Sequence, residues 1–600
     1  MGEWEGPSPT PQTFAAILPK WWKVAKLWFY GDDKLLARGY LIAAVVLSLL
    51  YTWLLVTISY AQRNFSTAMS EKRVAEFYQA VWMFVLIIAI AAPLFAFVNF
   101  VEGRLALAWR IFLVKKMVRG YFANRAFFTL NQYGVVVDNP DQRICDDIAS
   151  FVASSVMLAT EVLRKIMSCV AFAGVLWSIS PSLVVYLFLY AGAGTWFTTW
   201  VFGKPLMSLN FRLLQKEGDL RFSLVRVREN NESIAFYKGE GREKSIVSDR
   251  FDKVVFTKIS KINWAAGLGL WSNVYSYSTI LVPSLFTAPL YFAGMIEFGV
   301  ISQASYAFGR IEAALGAIVA NFQEISGLAA QTERLAVMMD VLEDIEREGD
   351  ANAAGRQGQH IVHLESQSPV VLQLEGLTFS TPGDKQYICD NQDVTLLQGE
   401  KLLIVGPTGC GKSSLLRAIS GLWSRGKGTI RTPDVSSMFF LPQKPYMPLG
   451  TLRDQLLFPT SAWGSGHDEA NLSDAKLLAL LRTVRLPGLA DRVGGLDVEM
   501  DWSQVLSLGE QQRVAFLRLL LHRASLAFLD EATSALDINT EAALYEALNV
   551  AVGSYVSVGH RPQLVKYHTH VLEFVGNGSW LKYPASEFDA RSQYGKGGAG

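Results

Sequence analysis

Residues 401–419 read KLLIVGPTGCGKSSLLRAI, and this stretch decides the fold class of the second half of the chain. Lys401–Val405 has the apolar run of a buried strand, and Leu415–Ile419 continues in a helical pattern. Between them stands Gly-x4-Gly-Lys-Ser, in which glycines let backbone N–H groups approach a polyphosphate at a helix N-terminus. The stretch therefore predicts a phosphate-binding loop in an α/β domain. The predicted loop residues are Gly406, Pro407, Thr408, Gly409, Cys410, Gly411, Lys412, Ser413 and Ser414.

A second informative stretch, DWSQVLSLGEQQRVAFLRLLLHRASLAFLDEATSALD, covers residues 501–537. Leu526–Leu529 is apolar enough to be a central strand that is buried on both faces. Asp530 follows at its C-terminal end, where such sheets bind ligands, so we expect Asp530 and Ser413 to hold Mg²⁺. Glu531 is placed to orient or deprotonate an attacking water. An acidic pair can also begin a helix, but the phosphate loop upstream favours the metal site.

The first half of the chain is strongly apolar. Half of all residues are hydrophobic, and the mean hydropathy is +0.22. Uncharged or nearly uncharged runs lie at 39–61, 77–101, 166–203, 262–296 and 298–322, and the third is long enough for two crossings. A helix needs about 20 residues to cross the hydrocarbon core. We therefore predict six membrane spans, and buried core helices, which are usually shorter and amphipathic, are the alternative.

Charge distribution predicts the orientation of these spans. Lys and Arg cluster before the first span and within the connections 104–125 and 204–261, whereas the third and fifth connections contain neither. By the positive-inside bias, the N-terminus and the soluble domain face the cytosol. The first 30 residues lack a signal-peptide core, and their tryptophans and lysines suit an interfacial helix. The net charge of +1 gives no reason to expect a nucleic-acid partner.

Motifs of the second half resemble those of the ATP-binding cassette (ABC) transporters, in the same order along the chain. Leu506–Gln512 reads LSLGEQQ and resembles the signature motif. Gln443 resembles the Q-loop glutamine, Ser534–Asp537 the D-loop, and His560 the switch histidine. The resemblance implies an all-α transmembrane domain with six spans, of the type 1 exporter kind, followed by an α/β P-loop cassette. It also implies ATP hydrolysis coupled to transport, with ATP and Mg²⁺ as cofactors.

The resemblance assigns roles to individual residues. The implied catalytic residues are Glu531, His560 and Gln443. The implied metal-binding residues are Ser413, Gln443 and Asp530. The implied nucleotide-binding residues beyond the phosphate loop are Ser507, Gly509, Glu510 and Asp537. In the family, the signature loop of one copy faces the γ-phosphate held by the other copy. A chain with one cassette and six spans is therefore expected to work as a dimer, either of identical or of different chains.

The cassette departs from the family pattern at one position. Thr381 stands where an adenine-stacking tyrosine is common, and Tyr387 is a candidate substitute. The resemblance divides the chain into an N-terminal cytosolic or interfacial segment, the membrane domain, a linker, the cassette and a flexible tail. The predicted bounds of these five parts are 1–35, 36–335, 336–369, 370–590 and 591–600.

Loop sequences narrow the resemblance to the D subfamily, the peroxisomal fatty acyl-CoA transporters and their cobalamin-handling relatives. Asn139–Ile144, Glu217–Phe222 and Ile234–Glu240 carry this likeness, which extends to bacterial permease–ATPase fusions. The expected partners are a second half-transporter, membrane lipid and an amphipathic cargo such as a fatty acid or fatty acyl-CoA. Cobalamin or a peptide is the alternative cargo, and a membrane-anchored regulatory ATPase is the alternative class. A bacterial plasma membrane, a plastid and a peroxisome all remain open.

Two charged residues interrupt the last apolar run. Arg310 and Glu312 are two positions apart, so they point in different directions on a helix. A charge within a span usually faces a cavity or a partner. We expect Arg310 to face the central cavity and to contact an anionic group of the cargo. Pairing of Arg310 with Glu161 is the alternative.

Overall fold

The structure is a computed structural model in two compact units, Met1–Asp350 and Ala351–Gly600. The described residues are 14–132, 137, 139–315, 321–353, 361–380, 387–423, 426–459, 473–559, 561–576 and 578–588. The described part of the first unit is helical. Its helices are α1 (Phe14–Tyr30), α2 (Lys34–Ser70), α3 (Val74–Phe122), α4 (Ala126–Gln132), α5 (Pro140–Gln142), α6 (Ile148–Ile179), α7 (Pro181–Thr198), α8 (Lys204–Glu229), α9 (Asn231–Phe236), α10 (Glu240–Phe292), α11 (Phe298–Leu315) and α12 (Phe322–Ala353).

Four helical stretches among the described residues are long and apolar enough to cross a membrane. They are Lys34–Ser70, Val74–Leu130, Pro140–Ile179 and Pro181–Glu229, and they contain the first four predicted spans. The fifth predicted span lies on α10, whose apolar half is rich in Trp, Tyr and Ser, residues that lower the mean hydropathy. The sixth begins on α11, and residues 316–320 lie outside the described part of the chain. The total of six spans therefore stays a prediction.

Several helices are much longer than a membrane is thick. Helix α3 has 49 residues and α10 has 53, which at about 1.5 Å per residue gives lengths of about 74 and 80 Å. The hydrocarbon core is about 30 Å thick. Helices α3 and α10 must therefore extend far into the aqueous phase.

The N-terminal helix α1 packs against other helices of the first unit. Val24, Ala25 and Trp28 are fully buried, and the Trp28 ring stacks on that of Trp109 with centroids 5.5 Å apart. Lysines flank this buried face, and two of them form ion pairs with acids of α12. These pairs are Lys20–Glu333 and Lys23–Asp340. The segment expected to be interfacial is thus anchored to the helical unit by apolar packing and by charge.

The segment predicted as a linker, 336–369, carries regular structure at both ends. Helix α12 continues to Ala353, and the strand β1 begins at Val362. The helix persists because Leu335, Met338, Met339 and Leu342 recur at helical spacing and are buried.

The loop sequence Asn139–Ile144 leads into a buried cluster of charges. Arg143 donates a hydrogen bond to Asp147 at 2.8 Å, and Arg334 of α12 donates two more to the same carboxylate, at 2.6 and 2.8 Å. The side chains of Arg143 and Asp147 are both 8 % exposed. Burial of a carboxylate is costly unless it is paired, so this cluster ties the start of α6 to α12.

The second unit contains two sheets. Their strands are β1 (Val362–Glu365), β2 (Val370–Ser380), β3 (Tyr387–Leu397), β4 (Lys401–Val405), β5 (Lys427–Thr432), β6 (Met438–Leu441), β7 (Leu526–Asp530), β8 (Ser554–Val558), β9 (His570–Gly576) and β10 (Ser579–Pro584). One sheet has the order β1-β5-β2-β3, with β1 and β5 parallel and the other pairs antiparallel. The other has the order β10-β9-β4-β8-β7-β6, and β9 to β6 are all parallel. The helices are α13 (Lys412–Ile419), α14 (Leu452–Leu457), α15 (Asp474–Thr483), α16 (Leu489–Val493), α17 (Trp502–Val505), α18 (Leu508–His522) and α19 (Ile538–Ala551).

The parallel sheet is buried on both faces, as the apolar strands predict. In β7, Leu526 and Phe528 belong to one apolar cluster, whereas Ala527 and Leu529 belong to another. Successive side chains of a strand point to opposite faces, so one strand contributes to both cores. Since β4, β8 and β7 are parallel neighbours, the chain leaves all three at the same edge of the sheet. The phosphate loop follows β4 there, and Asp530 ends β7.

Candidate nucleotide site

The phosphate loop connects β4 to α13, as the sequence predicts. Gly411 is the N-cap of α13 and has φ +103, a value that favours glycine. A Cβ atom at this position would lie 2.3 Å from Cγ2 of Ile388, so a side chain is also excluded sterically. The Lys412 side chain is nearly buried, and its Nζ donates to the carbonyl oxygens of Gly406 and Pro407, both at 2.9 Å. The ammonium group is therefore held over the loop that would receive the phosphates.

The structure brings together two of the three residues predicted to bind Mg²⁺, Ser413 and Asp530, which lie on different elements. Ser413 Oγ at the start of α13 donates to Asp530 Oδ1 at the end of β7, at 3.0 Å. Burial raises the pKa of Asp530 and the neighbouring Glu531 raises it further, while the Ser413 hydroxyl opposes the shift. A divalent cation would offset the effects of burial and of Glu531, because it favours the ionised carboxylate. A hydroxyl and a carboxylate are ligands that suit Mg²⁺.

Glu531 and Gln443 form the second contact of the site. Gln443 Nε2 donates to Glu531 Oε2 at 2.8 Å. Glu531 has the left-handed φ of +48, which is rare for residues other than glycine. Its backbone N–H donates to the carbonyl oxygen of Val558 at 3.1 Å, and its own carbonyl accepts from the N–H of Ser534 at 3.0 Å. Strained backbone of this kind persists where neighbouring contacts fix it, and it is common at active sites.

The signature segment forms the N-terminus of α18. Ser507 is its N-cap and forms a capping box with Glu510, in which each side chain accepts from the backbone N–H of the other residue. Glu510 also accepts from Arg492 at 2.7 Å. Burial favours the neutral form of Glu510, but the Arg492 and Ser507 hydrogen bonds outweigh it and hold the pKa of Glu510 below its usual value. Among the described residues, the hydrogen-bond partners of Ser507 all belong to α18.

Gln512, on the signature helix α18, contacts both the Q-loop and the D-loop. Gln512 is 1 % exposed, and its amide nitrogen donates to the carbonyl oxygen of Gln443 at 3.0 Å and to Ser534 Oγ at 3.2 Å. Its amide oxygen accepts from the N–H of Ala535 at 3.1 Å. The sequence predicts no separate role for Gln512. The available signal was its place at the end of the signature motif, two positions before the apolar run that begins at Val514.

Other predicted residues are placed as follows. Asp537 is the N-cap of α19 and accepts from the N–H groups of Asn539 and Thr540. Gly509 packs closely against the D-loop, since a Cβ there would lie 3.1 Å from the Ala535 carbonyl oxygen. His560 and Thr381 lie outside the described residues, as does the side chain of Tyr387. Their predicted roles in catalysis and adenine binding stay predictions.

Family models match both parts of the chain. The model described as "ABC transporter transmembrane region 2" matches residues 25–292, and the model described as "ABC transporter" matches residues 389–534. An uncharacterized ABC transporter ATP-binding protein of Synechocystis sp. is 39 % identical, over 91 % of this chain and 82 % of its own length. The chloroplastic ABC transporter D family member 2 of Arabidopsis thaliana is 35 % identical, over 94 % of this chain and 88 % of its own length. The chain belongs to subfamily D of the ABC transporters.

This ABC transporter also shares its fold with a solved structure. A bacterial Atm1-family ABC exporter with ATP bound superimposes with a TM-score of 0.68 over 95 % of this chain and all of that chain, at 18 % identity. The predicted fold class, a helical membrane domain followed by a P-loop cassette, is therefore confirmed. The protein spans a membrane with several helices. It hydrolyses ATP with Mg²⁺ and couples hydrolysis to transport, as the family does, and the phosphate loop and the Ser413–Asp530 pair fit that cofactor.

Proposed function

We propose that this subfamily D transporter moves an amphipathic anion, such as a fatty acid or fatty acyl-CoA, as a dimer of half-transporters. Half-transporters of the family work as dimers. The contact of 2.8 Å between Gln443 and Glu531 supports the ATP-hydrolysing part of the proposal. It links the predicted base to the predicted Q-loop, so that a change at either segment alters the geometry of the other.

Each residue of the site has a distinct proposed role. The glycine-rich loop and Lys412 bind the triphosphate, and Ser413 and Asp530 bind Mg²⁺, which neutralises the phosphate charge. Glu531 orients and deprotonates the attacking water, and Gln443 holds its carboxylate. His560, which follows β8 in the sequence, is assigned to the same phosphate. Catalysis is then mostly positioning and charge stabilisation.

The partner copy completes this site. We assign Ser507, Gly509 and Glu510 to the ATP site of the partner copy, because Ser507 forms hydrogen bonds only within its own helix in the described part of the chain. The capping box fixes this helix start, so its free N–H groups present a preformed positive end to a phosphate. Asp537, in the adjoining D-loop, is assigned to the same nucleotide site, and it is the N-cap of α19. The second copy is either an identical chain or a related one.

The cargo assignment depends on Arg310. This residue lies on α11, next to the fully buried Phe308 and Ile311. No ion pair joins Arg310 to Glu161, although both are described, and the acid that pairs in this region is Glu102, with Arg164. The alternative expectation of an Arg310–Glu161 pair therefore loses support. A half-buried guanidinium on a membrane helix favours an anionic head group.

Cobalamin is the second candidate cargo. One relative, the human lysosomal cobalamin transporter ABCD4, is 28 % identical over 96 % of this chain. A peptide, and a regulatory ATPase without cargo, complete the alternatives. We further propose the domain bounds 36–335 and 370–590, with the N-terminus and the cassette in the cytosol of a bacterial cell or facing the cytosol from a plastid or peroxisome.

Stimulation of ATP hydrolysis by cargo tests this proposal. Purified protein in lipid vesicles is assayed with oleoyl-CoA, oleate, cobalamin and a short peptide in separate arms, for ATPase rate and for uptake. We expect oleoyl-CoA or oleate to stimulate both, and Arg310→Ala to lose stimulation while its basal ATPase rate stays unchanged. The exposed Arg242→Ala is the matched control. Stimulation by cobalamin alone would show that cobalamin is the cargo in place of a fatty acid or fatty acyl-CoA. The absence of stimulation and uptake in every arm would favour the regulatory ATPase.

A further inference from the structure

The chain segment after the switch position is anchored to the D-loop by one arginine. Arg561 Nη1 donates to the carbonyl oxygen of Leu536 at 3.0 Å, and Nη2 donates to that of Ser534 at 3.1 Å. Nη1 also contacts Oε2 of Glu541, on α19, at 3.2 Å. A guanidinium has five N–H donors in a rigid fork, so it can serve two carbonyls and a carboxylate together.

The carboxylate in this contact is itself buried. Glu541 is 3 % exposed, and its second oxygen accepts from Thr533 Oγ1 at 2.6 Å. A buried carboxylate that lost its cation would carry a large desolvation penalty. Glu541 therefore keeps Arg561 in place, and through Thr533 it also fixes the start of the turn that follows Glu531.

These contacts close a ring around the strained residue of the site. The Glu531 N–H donates to Val558, the Ser534 N–H donates to Glu531, and Arg561 donates to the Ser534 carbonyl oxygen. The ring thus joins the end of β7 to the chain that leaves β8. The left-handed backbone at Glu531 is strained, and strain of this kind persists only where the surrounding contacts fix it.

We propose that Arg561 is a positioning residue for hydrolysis, which holds residues 531–536 so that the Glu531 carboxylate keeps its reactive orientation. This inference rests on the proposed role of Glu531 and adds a residue that acts through it. Gln512 holds the other side of the same turn, at Ser534 and Ala535. The turn is therefore fixed from the signature helix on one side and from the switch segment on the other.

Substitution of Arg561 in the full-length protein tests the proposal. Arg561→Met keeps the length of the side chain but removes every donor. We expect kcat to fall about 10- to 100-fold, because a displacement of about 1 Å at a reacting group can have an effect of that size. KM for ATP should change by less than about threefold, since the hydrogen bonds of Arg561 to described residues go to Leu536, Ser534 and Glu541 and not to the phosphate loop. In Arg561→Lys, the ammonium group can donate to one of the carbonyls but cannot replace the whole guanidinium group. This variant should therefore recover part of the rate.

A double-mutant cycle separates positioning from a general loss of structure. If Arg561 acts through Glu531, adding Arg561→Met to Glu531→Gln should lower the residual rate by less than about twofold. Bound ATP per chain should equal that of wild type, and Arg482→Met, at an exposed site on α15, should have no effect.

Three results would overturn the inference: a kcat within about twofold of wild type, equal losses of kcat and of bound ATP, or independent multiplication of the two effects. Failure of the proposed function would be recognised differently, by full turnover of Glu531→Gln alone.

Discussion

Replacement of Glu531 by glutamine removes the predicted base while keeping its shape. The glutamine amide oxygen can still accept from Gln443 Nε2, which lies 2.8 Å from the present carboxylate. A hydrogen bond to a charged acceptor contributes about 1.5–3 kcal/mol, and a neutral one about 1 kcal/mol, so the contact weakens by about 1 kcal/mol. Glu531 is half-buried, so no large cavity or unpaired buried charge results. The free energy of folding should therefore change little.

The rate should change far more than the fold. Loss of a general base typically costs a factor of about 10²–10⁴, and each factor of ten corresponds to about 1.4 kcal/mol. The expected rise in the activation free energy is thus about 3–5 kcal/mol, several times the structural effect. Binding of ATP should be retained or strengthened, because one negative charge beside the phosphates is removed. The negative charge of Glu531 also raises the pKa of Asp530, so its removal should favour the ionised metal ligand.

The assay compares phosphate release with ATP binding for the purified protein in vesicles. Glu546→Gln serves as the control, because Glu546 is an exposed glutamate on α19 outside the site. We expect Glu531→Gln to bind ATP and to remain dimeric, with a rate at least about 10²-fold below both wild type and the control. Turnover at the wild-type rate would show that another group activates the water, and the reasoning from the Gln443–Glu531 contact would be wrong.

Two further predictions follow from the ligands of the site and from the signature segment. Asp530→Asn should raise the Mg²⁺ concentration for half-maximal ATPase activity about 10- to 100-fold, as measured by titration at saturating ATP, and an unchanged requirement would exclude Asp530 from the metal site. Arg492→Ala should lower the melting temperature at pH 7, by an amount equivalent to about 0.2–1 kcal/mol. The pKa of Glu510 is depressed in the folded protein, so its stabilising effect is present above the ordinary value of 4.5 and is lost as pH falls through the folded value. The melting temperatures of wild type and Arg492→Ala should therefore converge in acid, and a difference that persists there would contradict this origin.

Local sequence was sufficient to predict the elements that carry the site. The apolar runs 401–405 and 526–529 form the strands β4 and β7, which both pair with β8 in the parallel sheet. Both strands are buried on both faces, as their apolar sequences predict. Glycine spacing predicted the loop before α13, because the glycines of this loop have positive φ values that other residues rarely adopt. The positions of Ser413 and Asp530 followed from the rule that ligands bind at the C-terminal ends of such strands.

Contacts between distant segments could not be predicted in the same way. The roles of Gln512 and Arg561 depend on three segments meeting in space, and no periodicity or spacing encodes such a meeting. The burial of α1 was missed because its basic face suggested a membrane surface, whereas the lysines pair with acids more than 300 positions away, such as Glu333.

The central claim is that each ATP site is shared between two copies of the chain. Two inactive variants test it when mixed. Lys412→Ala disables the phosphate loop, and Ser507→Asp places a negative charge where the partner's γ-phosphate would bind, while an aspartate still caps α18. Ser507→Asn, which keeps the cap without the charge, is the control for folding.

In a mixed dimer of the two variants, one site combines both defects and the other combines the two intact parts. Random pairing makes half of the dimers mixed, so the mixture should recover up to about a quarter of the wild-type ATPase rate if the two sites work independently. Each variant alone should remain inactive. A mixture that stays inactive although crosslinking shows mixed dimers would contradict the shared site, because a site completed within one chain is defective in both variants.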